Sequence, residues 1–174
     1  MKNSIALIGF MGVGKTSVAK ALAAKLGKEF IEMDAIIEQK AGKSIAEMFQ
    51  QDGEIAFREL EIAVAKEVSQ KQNAVIACGG GVVLNRINID RLKQECIIVY
   101  LAAAPAVILQ RTSEGDRPLL RTPDRAFAIR KLLEFRQPFY ERAADIEIDT
   151  SGMDADSVAE QIMSRIKVYE GYDS

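Results

Sequence analysis

A glycine-rich segment that ends in lysine and threonine lies near the start of the sequence. Residues 9–16 match the pattern G-x-x-x-x-G-K-T in full. In such a loop the glycines let successive backbone N–H groups turn toward one anion, and the N-terminus of the following helix adds partial positive charge. Lys15 can reach the β- and γ-phosphates, and Thr16 offers a hydroxyl to Mg²⁺. The segment therefore predicts a nucleoside triphosphate site.

The segments around this loop have the order that the motif requires. Residues 4–8 form a short apolar run typical of a buried strand, and residues 17–26 have helical periodicity. Further strand-like runs occupy residues 29–33, 73–78, 96–101 and 146–148, with long helical stretches between most of them. This alternation predicts an α/β protein in which a parallel sheet has helices on both faces.

Local signals predict several helix boundaries. Ser44 and Glu47 form a capping-box pattern, and the Asp52-Gly53 pair separates a short helix from a longer one that runs to about residue 71. Two helices are thus expected between the second and third strands. Thr122, followed by Pro123, predicts the start of another helix that ends near residue 142. Residues 112–121 before it have the composition of a polar loop.

Two carboxylates, Glu32 and Asp34, lie at the end of the second strand-like run. Ligands of parallel α/β sheets bind beyond the carboxyl ends of the strands, at the same edge as the phosphate loop. Asp34 could accept a proton from a substrate hydroxyl or align that hydroxyl with the γ-phosphate, and Glu32 could hold a water of the magnesium shell. A helix cap is the alternative role for Asp34, and the residues alone leave both open.

Three consecutive glycines, Gly79, Gly80 and Gly81, end the third strand-like run. Such a triple costs backbone entropy inside a strand, so something is expected to approach this backbone closely. A bulge or tight turn is common for one glycine and less convincing for three. We therefore favour a platform on which a substrate ring lies.

Three arginines stand out from the other basic residues. Arg117 lies in the polar loop, where it could close over the phosphates and neutralise charge that develops during transfer. Arg58 and Arg136 border apolar helix faces and could grip a carboxylate with both guanidinium nitrogens. Spacing alone gives more support to helix-surface salt bridges such as Glu54 with Arg58.

Length and composition narrow the class of protein. A chain of 174 residues with a net charge of −2 predicts a single domain, residues 1–174, with no overall attraction to nucleic acid or anionic membrane. No apolar run approaches a membrane span and no cleavable leader is apparent, so we expect a cytoplasmic protein.

Cys78 and Cys96 lack metal-ligand spacing, and the chain has no histidine. These cysteines are expected to be small apolar residues in strands, without zinc.

Taken together, these motifs resemble the shikimate kinase family, within the nucleoside-monophosphate-kinase group of phosphate-loop folds. The resemblance covers nearly the whole chain. Its elements are residues 9–16, Glu32 and Asp34, Asp52-Gly53-Glu54 with Phe57-Arg58, the glycine triple, residues 117–120 and Arg136. It implies transfer of the ATP γ-phosphoryl group to the 3-hydroxyl of shikimate, a step toward chorismate and the aromatic amino acids. It also implies a three-layer α/β/α fold with a five-stranded parallel sheet, a helical substrate-binding segment at about 34–60 and a mobile lid at about 112–124.

The resemblance assigns roles residue by residue. The catalytic residues would be Lys15, Asp34 and Arg117, with Thr16 as the magnesium ligand. Residues matching the ATP contacts are Gly12, Val13, Gly14, Lys15, Thr16, Ser17, Arg111 and Arg117, with Arg111 against the adenine. Residues matching the shikimate contacts are Asp34, Arg58, Gly79, Gly80, Gly81 and Arg136, with the two arginines on the carboxylate. The family usually has aspartate where this chain has Glu32, which bears on magnesium geometry.

Other classes of nucleotide-binding protein fit less well. A regulatory GTPase would need an Asn-Lys-x-Asp motif, which the sequence lacks. A kinase of another small hydroxylated carboxylate or of a nucleoside monophosphate, and a nucleotide-binding module without catalysis, stay open as alternatives. The small-molecule substrate is expected to be the only partner, and the protein is expected to be a monomer.

Overall fold

The computed structural model describes residues 2–113 and 117–170. Within these residues five strands form one sheet, and each neighbouring pair is parallel. The strands are β1 (Ser4–Ile8), β2 (Glu29–Glu32), β3 (Ala74–Ala77), β4 (Cys96–Ala102) and β5 (Ile146–Asp149). Their order across the sheet is β2-β3-β1-β4-β5. The predicted five-stranded parallel sheet is confirmed, and each strand begins and ends within one residue of its predicted bounds.

Eight α-helices lie within the same described ranges. They are α1 (Lys15–Leu26), α2 (Met33–Ala41), α3 (Ile45–Gln51), α4 (Gly53–Val68), α5 (Arg86–Glu95), α6 (Pro105–Arg111), α7 (Arg125–Ala143) and α8 (Ala155–Tyr169). Short 3₁₀ helices at Val82–Leu84 and Pro118–Leu120 complete the connections. None of the helices in the described part of the chain is long and apolar enough to cross a membrane.

Both faces of the sheet are buried. In β1, Ala6 and Ile8 belong to a core shared with α4, α5 and α7, whereas Ile5 and Leu7 belong to a second core shared with α1 and α8. Neighbouring side chains of a strand point to opposite faces, so a strand covered on both sides is apolar throughout. Helices therefore cover the sheet on both sides, as the predicted three-layer architecture requires. Both cysteines are buried and free.

The connection between β2 and β3 differs from its prediction. It contains three helices, α2, α3 and α4, where two were expected. Helix α2 begins at the residue after β2, so no turn residues separate the two elements and the sequence gives no boundary signal. The capping box that starts α3 is confirmed: Ser44 Oγ accepts the Glu47 N–H and the Glu47 carboxylate accepts the Ser44 N–H. The long helix α4 ends at Val68, three residues before its predicted end.

The predicted start of α7 was wrong. The helix begins at Arg125, and Asp124 is its cap through a side-chain oxygen that accepts the Phe127 N–H at 3.0 Å. Thr122, the predicted cap, accepts the Asp124 N–H instead. The threonine hydroxyl thus forms a turn before the helix, and aspartate, an equally good capping residue, takes the N-cap.

Candidate active site

A cavity of about 890 Å³ opens at the carboxyl ends of β1, β2 and β3. All the residues predicted for the site contribute to its wall: Gly12, Val13, Gly14, Lys15, Thr16, Ser17, Glu32, Asp34, Arg58, Gly79, Gly80, Gly81, Arg111, Arg117 and Arg136. Strands β3 and β4 flank β1 on opposite sides, and crevices at such reversals of strand order commonly bind ligands. The structure therefore brings the predicted residues into one site.

The phosphate loop joins β1 to α1 and encloses the lysine. Gly14 precedes α1 with a φ of 100°, a left-handed conformation that glycine adopts readily. The Lys15 ammonium is buried and donates hydrogen bonds to the carbonyl oxygens of Gly9 and Phe10, at 2.7 and 2.9 Å. Burial lowers the pKa of Lys15 to about 8, although the Asp34 carboxylate acts in the opposite direction. The lysine ammonium is thus held against the loop that is expected to bind the phosphates.

The beginning of the predicted lid packs against this loop. A Cβ atom on Gly12, whose φ is 77°, would lie 2.3 Å from the Thr112 methyl group, so this position has no room for a side chain. Arg111, the last residue of α6, donates a hydrogen bond to the Val13 carbonyl at 2.8 Å. The phosphate loop and the segment that leads into the lid are therefore in direct contact. Residues 114–116 of the lid lie outside the described residues.

Thr16 and Glu32 form the part of the site that fits magnesium. The Thr16 hydroxyl donates to Glu32 Oε1 at 2.6 Å. A hydroxyl has one proton and two lone pairs, so a proton committed to Glu32 leaves the oxygen free to coordinate a cation. In the described part of the chain no group of three or more Cys, Asp or Glu side chains could hold a metal alone. Mg²⁺ is usually bound through one or two protein ligands, waters and substrate phosphates, which this pair suits.

Asp34 lies in the first turn of α2 and faces the cavity. Glu32 precedes the helix at its N-cap position, and the helix has no side-chain cap, so the structure does not support the capping alternative for Asp34. Burial raises the pKa of Asp34, and the nearby Lys15 ammonium partly offsets this effect. An acidic group that lies deep in a cleft beside a cation is a candidate for proton transfer.

The glycine triple makes room for charged side chains of the site. A Cβ atom on Gly81 would lie 2.2 Å from a terminal nitrogen of Arg58, and one on Gly79 would lie 3.0 Å from an Asp34 oxygen. None of these three described glycines has a positive φ, so close approach rather than backbone conformation requires glycine here. The predicted close approach is therefore made by Arg58 and Asp34 themselves.

Arg58 lies on α4 between two carboxylates. It pairs with Glu54 at 3.2 Å, as its helical spacing suggested, and with the fully buried Glu61 at 3.0 Å. The Arg58 side chain is only 14% exposed, so these contacts are not an ordinary surface salt bridge. Burial raises the pKa of Glu61, and the Arg58 guanidinium opposes the shift. Glu61 thus holds the guanidinium group of Arg58 against Gly81.

Arg136 and Arg117 differ in their surroundings. Arg136 is 2% exposed, and its guanidinium group lies 6.0 Å from the centre of the Phe10 ring. Its Nε has no hydrogen-bond partner within residues 2–113 and 117–170, and neither has Glu61 Oε2. A buried polar atom without a hydrogen-bond partner is costly, and such atoms are typical of residues that bind a ligand. Arg117 is exposed and precedes the 3₁₀ helix at residues 118–120.

A family model for shikimate kinase matches residues 11–167 of the sequence. The chain belongs to the shikimate kinase family. It is 49% identical over 164 residues to the shikimate kinase of Caldanaerobacter subterraneus subsp. tengcongensis, covering 94% of this chain and 95% of the relative. It is 46% identical over 171 residues to that of Thermodesulfovibrio yellowstonii, covering 98% and 96%. The shikimate kinase from Acinetobacter baumannii in complex with shikimate superposes with a TM-score of 0.92 at 38% identity, covering 95% of this chain and 93% of that one.

Membership of the shikimate kinase family confirms the resemblance inferred from the motifs. Sequence reasoning nevertheless missed part of the cavity wall. Glu61 was overlooked, although an acid three residues after Arg58 on a helix is a recognisable pairing signal. Thr150, Met153 and Asp154, between β5 and α8, also line the cavity. Their position after a parallel strand, at the same edge as the phosphate loop, could have indicated them.

Proposed function

We propose that this member of the shikimate kinase family phosphorylates the 3-hydroxyl of shikimate with the residues of the cavity described above. The reaction is the ATP-dependent, magnesium-assisted transfer of the γ-phosphoryl group, which yields shikimate 3-phosphate. The observation that carries the proposal is the joining of two half-sites in one cavity. A phosphate loop lies at one side, and the partly buried Arg58 and the buried Arg136 lie against the glycine triple at the other.

The acceptor half has the groups that a hydroxylated carboxylate needs. Arg58 and Arg136 present two guanidinium groups to the glycine triple, and such groups bind carboxylates in a bidentate manner. Arg136 Nε has no partner among the described residues, so a carboxylate would accept a hydrogen bond from a buried atom that is otherwise unsatisfied. Asp34 faces the same space and can accept hydrogen bonds from ring hydroxyls. This half therefore binds a ligand that carries a carboxylate at one end and hydroxyls at the other.

The donor half binds the triphosphate. Loop N–H groups from Gly12 to Ser17 surround the β-phosphate, and Lys15 exchanges its hydrogen bonds with loop carbonyls for phosphate oxygens. Thr16 and Glu32 would hold Mg²⁺, Thr16 directly and Glu32 through water. The ion supplies charge neutralisation at the phosphates when it is bound. Arg111, at the contact between α6 and the phosphate loop, lies beside the nucleotide.

In phosphoryl transfer the protein acts mainly by positioning the reactants and by stabilising charge, and it forms no covalent bond with the substrate. Asp34 aligns the acceptor hydroxyl and takes its proton, a role that its raised pKa suits. Lys15 and Arg117 neutralise the negative charge that spreads over the transferring group. Arg117 is exposed but lines the cavity near Lys15 and Asp34, and closure of the lid at about 112–124 would bring it onto the phosphates and exclude water. The segment at about 34–60 supplies Asp34 and Arg58 to the acceptor. A single kinase domain over residues 1–174, a monomeric state and a cytoplasmic location stay predictions.

An assay of acceptor-dependent ADP release tests this function. The protein is incubated with MgATP and shikimate, gluconate or nucleoside monophosphates, and the product is identified by phosphorus NMR. We expect release with shikimate and a product phosphorylated at its 3-hydroxyl. Preference for gluconate or a nucleoside monophosphate would assign the cavity to another acceptor. ATP binding without ADP release in every mixture would point to a nucleotide-binding module.

A further inference from the structure

The Tyr140 hydroxyl is a buried polar group that the mechanism above does not use. Tyr140 lies on α7 and is fully buried, and its hydroxyl donates a hydrogen bond to the carbonyl oxygen of Gly80 at 2.5 Å. Its ring stacks on Tyr100 of β4, with 5.1 Å between ring centres and 18° between ring planes. One side chain therefore connects the central sheet, α7 and the middle of the glycine triple.

This hydrogen bond fixes a peptide that would otherwise have unusual freedom. The carbonyls of Gly79 and Gly81 accept backbone N–H groups, from Val82 at 3.1 Å and Leu84 at 3.0 Å. The Gly80 carbonyl accepts a side chain instead. Glycine peptides reorient more easily than others, so consecutive glycines need an external contact to keep one orientation. Tyr140 supplies that contact.

The orientation of the Gly80 carbonyl also sets the direction of the next N–H group. A peptide unit is planar, and its carbonyl and N–H point in opposite directions. The Gly80 carbonyl points toward Tyr140, which belongs to the buried core. The Gly81 N–H consequently points away from that core, on the side where Gly81 lines the cavity beside Arg58.

Tyr140 shares a face of α7 with Arg136. The two residues are four apart, a spacing that places side chains next to each other on a helix. A Cβ atom on Gly80 would lie 3.6 Å from a terminal nitrogen of Arg136, so both side chains reach the same glycine. Burial raises the pKa of Tyr140 to about 12, although Arg136 opposes the shift, so the hydroxyl keeps its proton near neutral pH. Helix α7 thus presents a cation and a hydrogen-bond donor to the glycine triple.

We propose that Tyr140 is a positioning residue for the acceptor: its hydroxyl orients the Gly80–Gly81 peptide so that the Gly81 N–H and Arg136 meet the acceptor carboxylate together. The inference rests on the proposed function of the cavity. Tyr140 itself does not touch the reacting atoms. Its hydroxyl acts through the Gly80 carbonyl and through its direct interaction with Arg136, so its effect is on acceptor binding rather than on nucleotide binding.

A comparison of Tyr140→Phe with Tyr100→Phe tests the proposal. Each substitution removes one hydroxyl from the same stacked pair, but only Tyr140 contacts Gly80. For Tyr140→Phe we expect Kd and KM for shikimate to rise by roughly 3- to 10-fold, as for a lost hydrogen bond, with KM for ATP unchanged. The Gly81 amide should also shift in the ¹⁵N–¹H spectrum and exchange faster with solvent. Tyr100→Phe should leave all these values at the wild-type level.

The other outcomes separate this inference from the proposed function. Absence of shikimate binding by the wild-type protein in calorimetry overturns both. Normal wild-type binding together with equal shikimate constants for the two variants overturns the role of Tyr140 alone. A parallel change in the constants for ATP and shikimate, or a Tyr140→Phe protein that fails to fold while Tyr100→Phe folds normally, assigns the hydroxyl to stability and also overturns the proposal.

Discussion

The Thr16 hydroxyl donates a hydrogen bond to Glu32 Oε1 at 2.6 Å, and this bond connects the end of the phosphate loop to the end of β2. The resemblance to the family predicts aspartate at this acidic position. Glutamate is longer by one methylene group, and in this chain its carboxylate contacts the hydroxyl directly. The contact keeps a negative charge beside the proposed metal ligand. Glu32 therefore preserves the charge of the site with a different reach.

Substitutions at Glu32 should separate the effect of charge from that of reach. Glu32→Gln removes a negative charge beside the proposed metal ligand. We expect it to raise the Mg²⁺ concentration for half-maximal rate by roughly 10-fold, which corresponds to a loss of about 1.4 kcal/mol of electrostatic attraction. Glu32→Asp keeps the charge and should shift the midpoint less. Magnesium titrations of the initial rate at saturating ATP and shikimate measure both. Equal midpoints for Glu32→Gln and the wild type would contradict a role at the metal.

Asp34→Asn should reduce turnover and leave ATP binding intact. Loss of a general base typically lowers the rate by roughly 10²- to 10⁴-fold. The ATP contacts lie on the phosphate loop and do not include this carboxylate, so the Kd for ATP should stay at the wild-type value. Steady-state kinetics and nucleotide calorimetry on the same preparation measure the two effects. Near-normal turnover would refute the role of Asp34.

The same variant should be more stable than the wild type at neutral pH. Burial raises the pKa of Asp34 above the unfolded value of 3.8, so the folded protein binds this proton more tightly than the unfolded chain. The free energy of unfolding therefore falls as the pH rises from the unfolded pKa through the folded one. Asparagine avoids this loss. Urea unfolding should show a stabilised variant at pH 7 and little difference near pH 3, whereas a constant difference would argue against the titration of Asp34.

The lowered pKa of Lys15 predicts how kcat/KM for ATP depends on pH. Its pKa of about 8 in the free protein implies that kcat/KM for ATP falls as the pH rises above that value, because the ammonium loses its charge. Bound phosphates raise the pKa again, so kcat should stay level to higher pH. Lys15→Arg provides the control, since arginine stays charged and its lower kcat/KM should not change over this range. A flat wild-type profile for kcat/KM across the same range would be evidence against a lowered pKa.

Gly81→Ala should bind shikimate poorly and be less stable than the wild type. The new Cβ would collide with the guanidinium group of Arg58, which is the flexible end of a side chain and can move. We expect KM for shikimate to rise by roughly 10- to 100-fold, as for a lost charged hydrogen bond, and Tm to fall, because a displaced Arg58 leaves the buried Glu61 without its ion-pair partner. Gly80→Ala provides the comparison, because its nearest contact, the Met11 backbone nitrogen, lies at 3.3 Å. A larger effect on shikimate binding at position 80 than at position 81 would contradict this account.

Arg136→Met should mainly weaken acceptor binding. Loss of one partner of a desolvated pair costs roughly 2 to 5 kcal/mol, which appears as a higher KM for shikimate with KM for ATP unchanged. Arg130→Met is the matched control, since Arg130 lies on the same helix and is exposed. An Arg136→Met protein with the shikimate KM of the control would remove Arg136 from the carboxylate site.

Most of the fold could be predicted from local sequence patterns. Five apolar runs became the five strands because a parallel strand buried on both faces must be apolar throughout. Failures occurred where two local signals competed or none was present. Thr122 and Asp124 are both good caps, and only the three-dimensional arrangement decides between them. Helix α2 follows β2 without a turn, which hides its start.

The site was less accessible from local patterns. The glycine triple indicated that some group approaches this backbone closely. The groups that do so are Arg58 and Asp34, which belong to helices distant from the triple in the sequence. Glu54 with Arg58 could be read from helical spacing, whereas the burial that makes Arg58 more than a surface residue depends on tertiary packing. The family resemblance supplied what spacing could not.

Three helices that are distant from one another in the sequence meet at the glycine triple, and this restricts how the protein could evolve. Side chains from α2, α4 and α7 all converge on these residues. A side chain at any of the three positions would press on a charged residue of the site or on the phosphate-loop backbone, so few single substitutions there could lead to a new acceptor. The facing helices offer an easier route, because each can exchange one side chain without obstructing the others. Divergence among relatives should therefore accumulate on the helices while the end of β3 stays fixed.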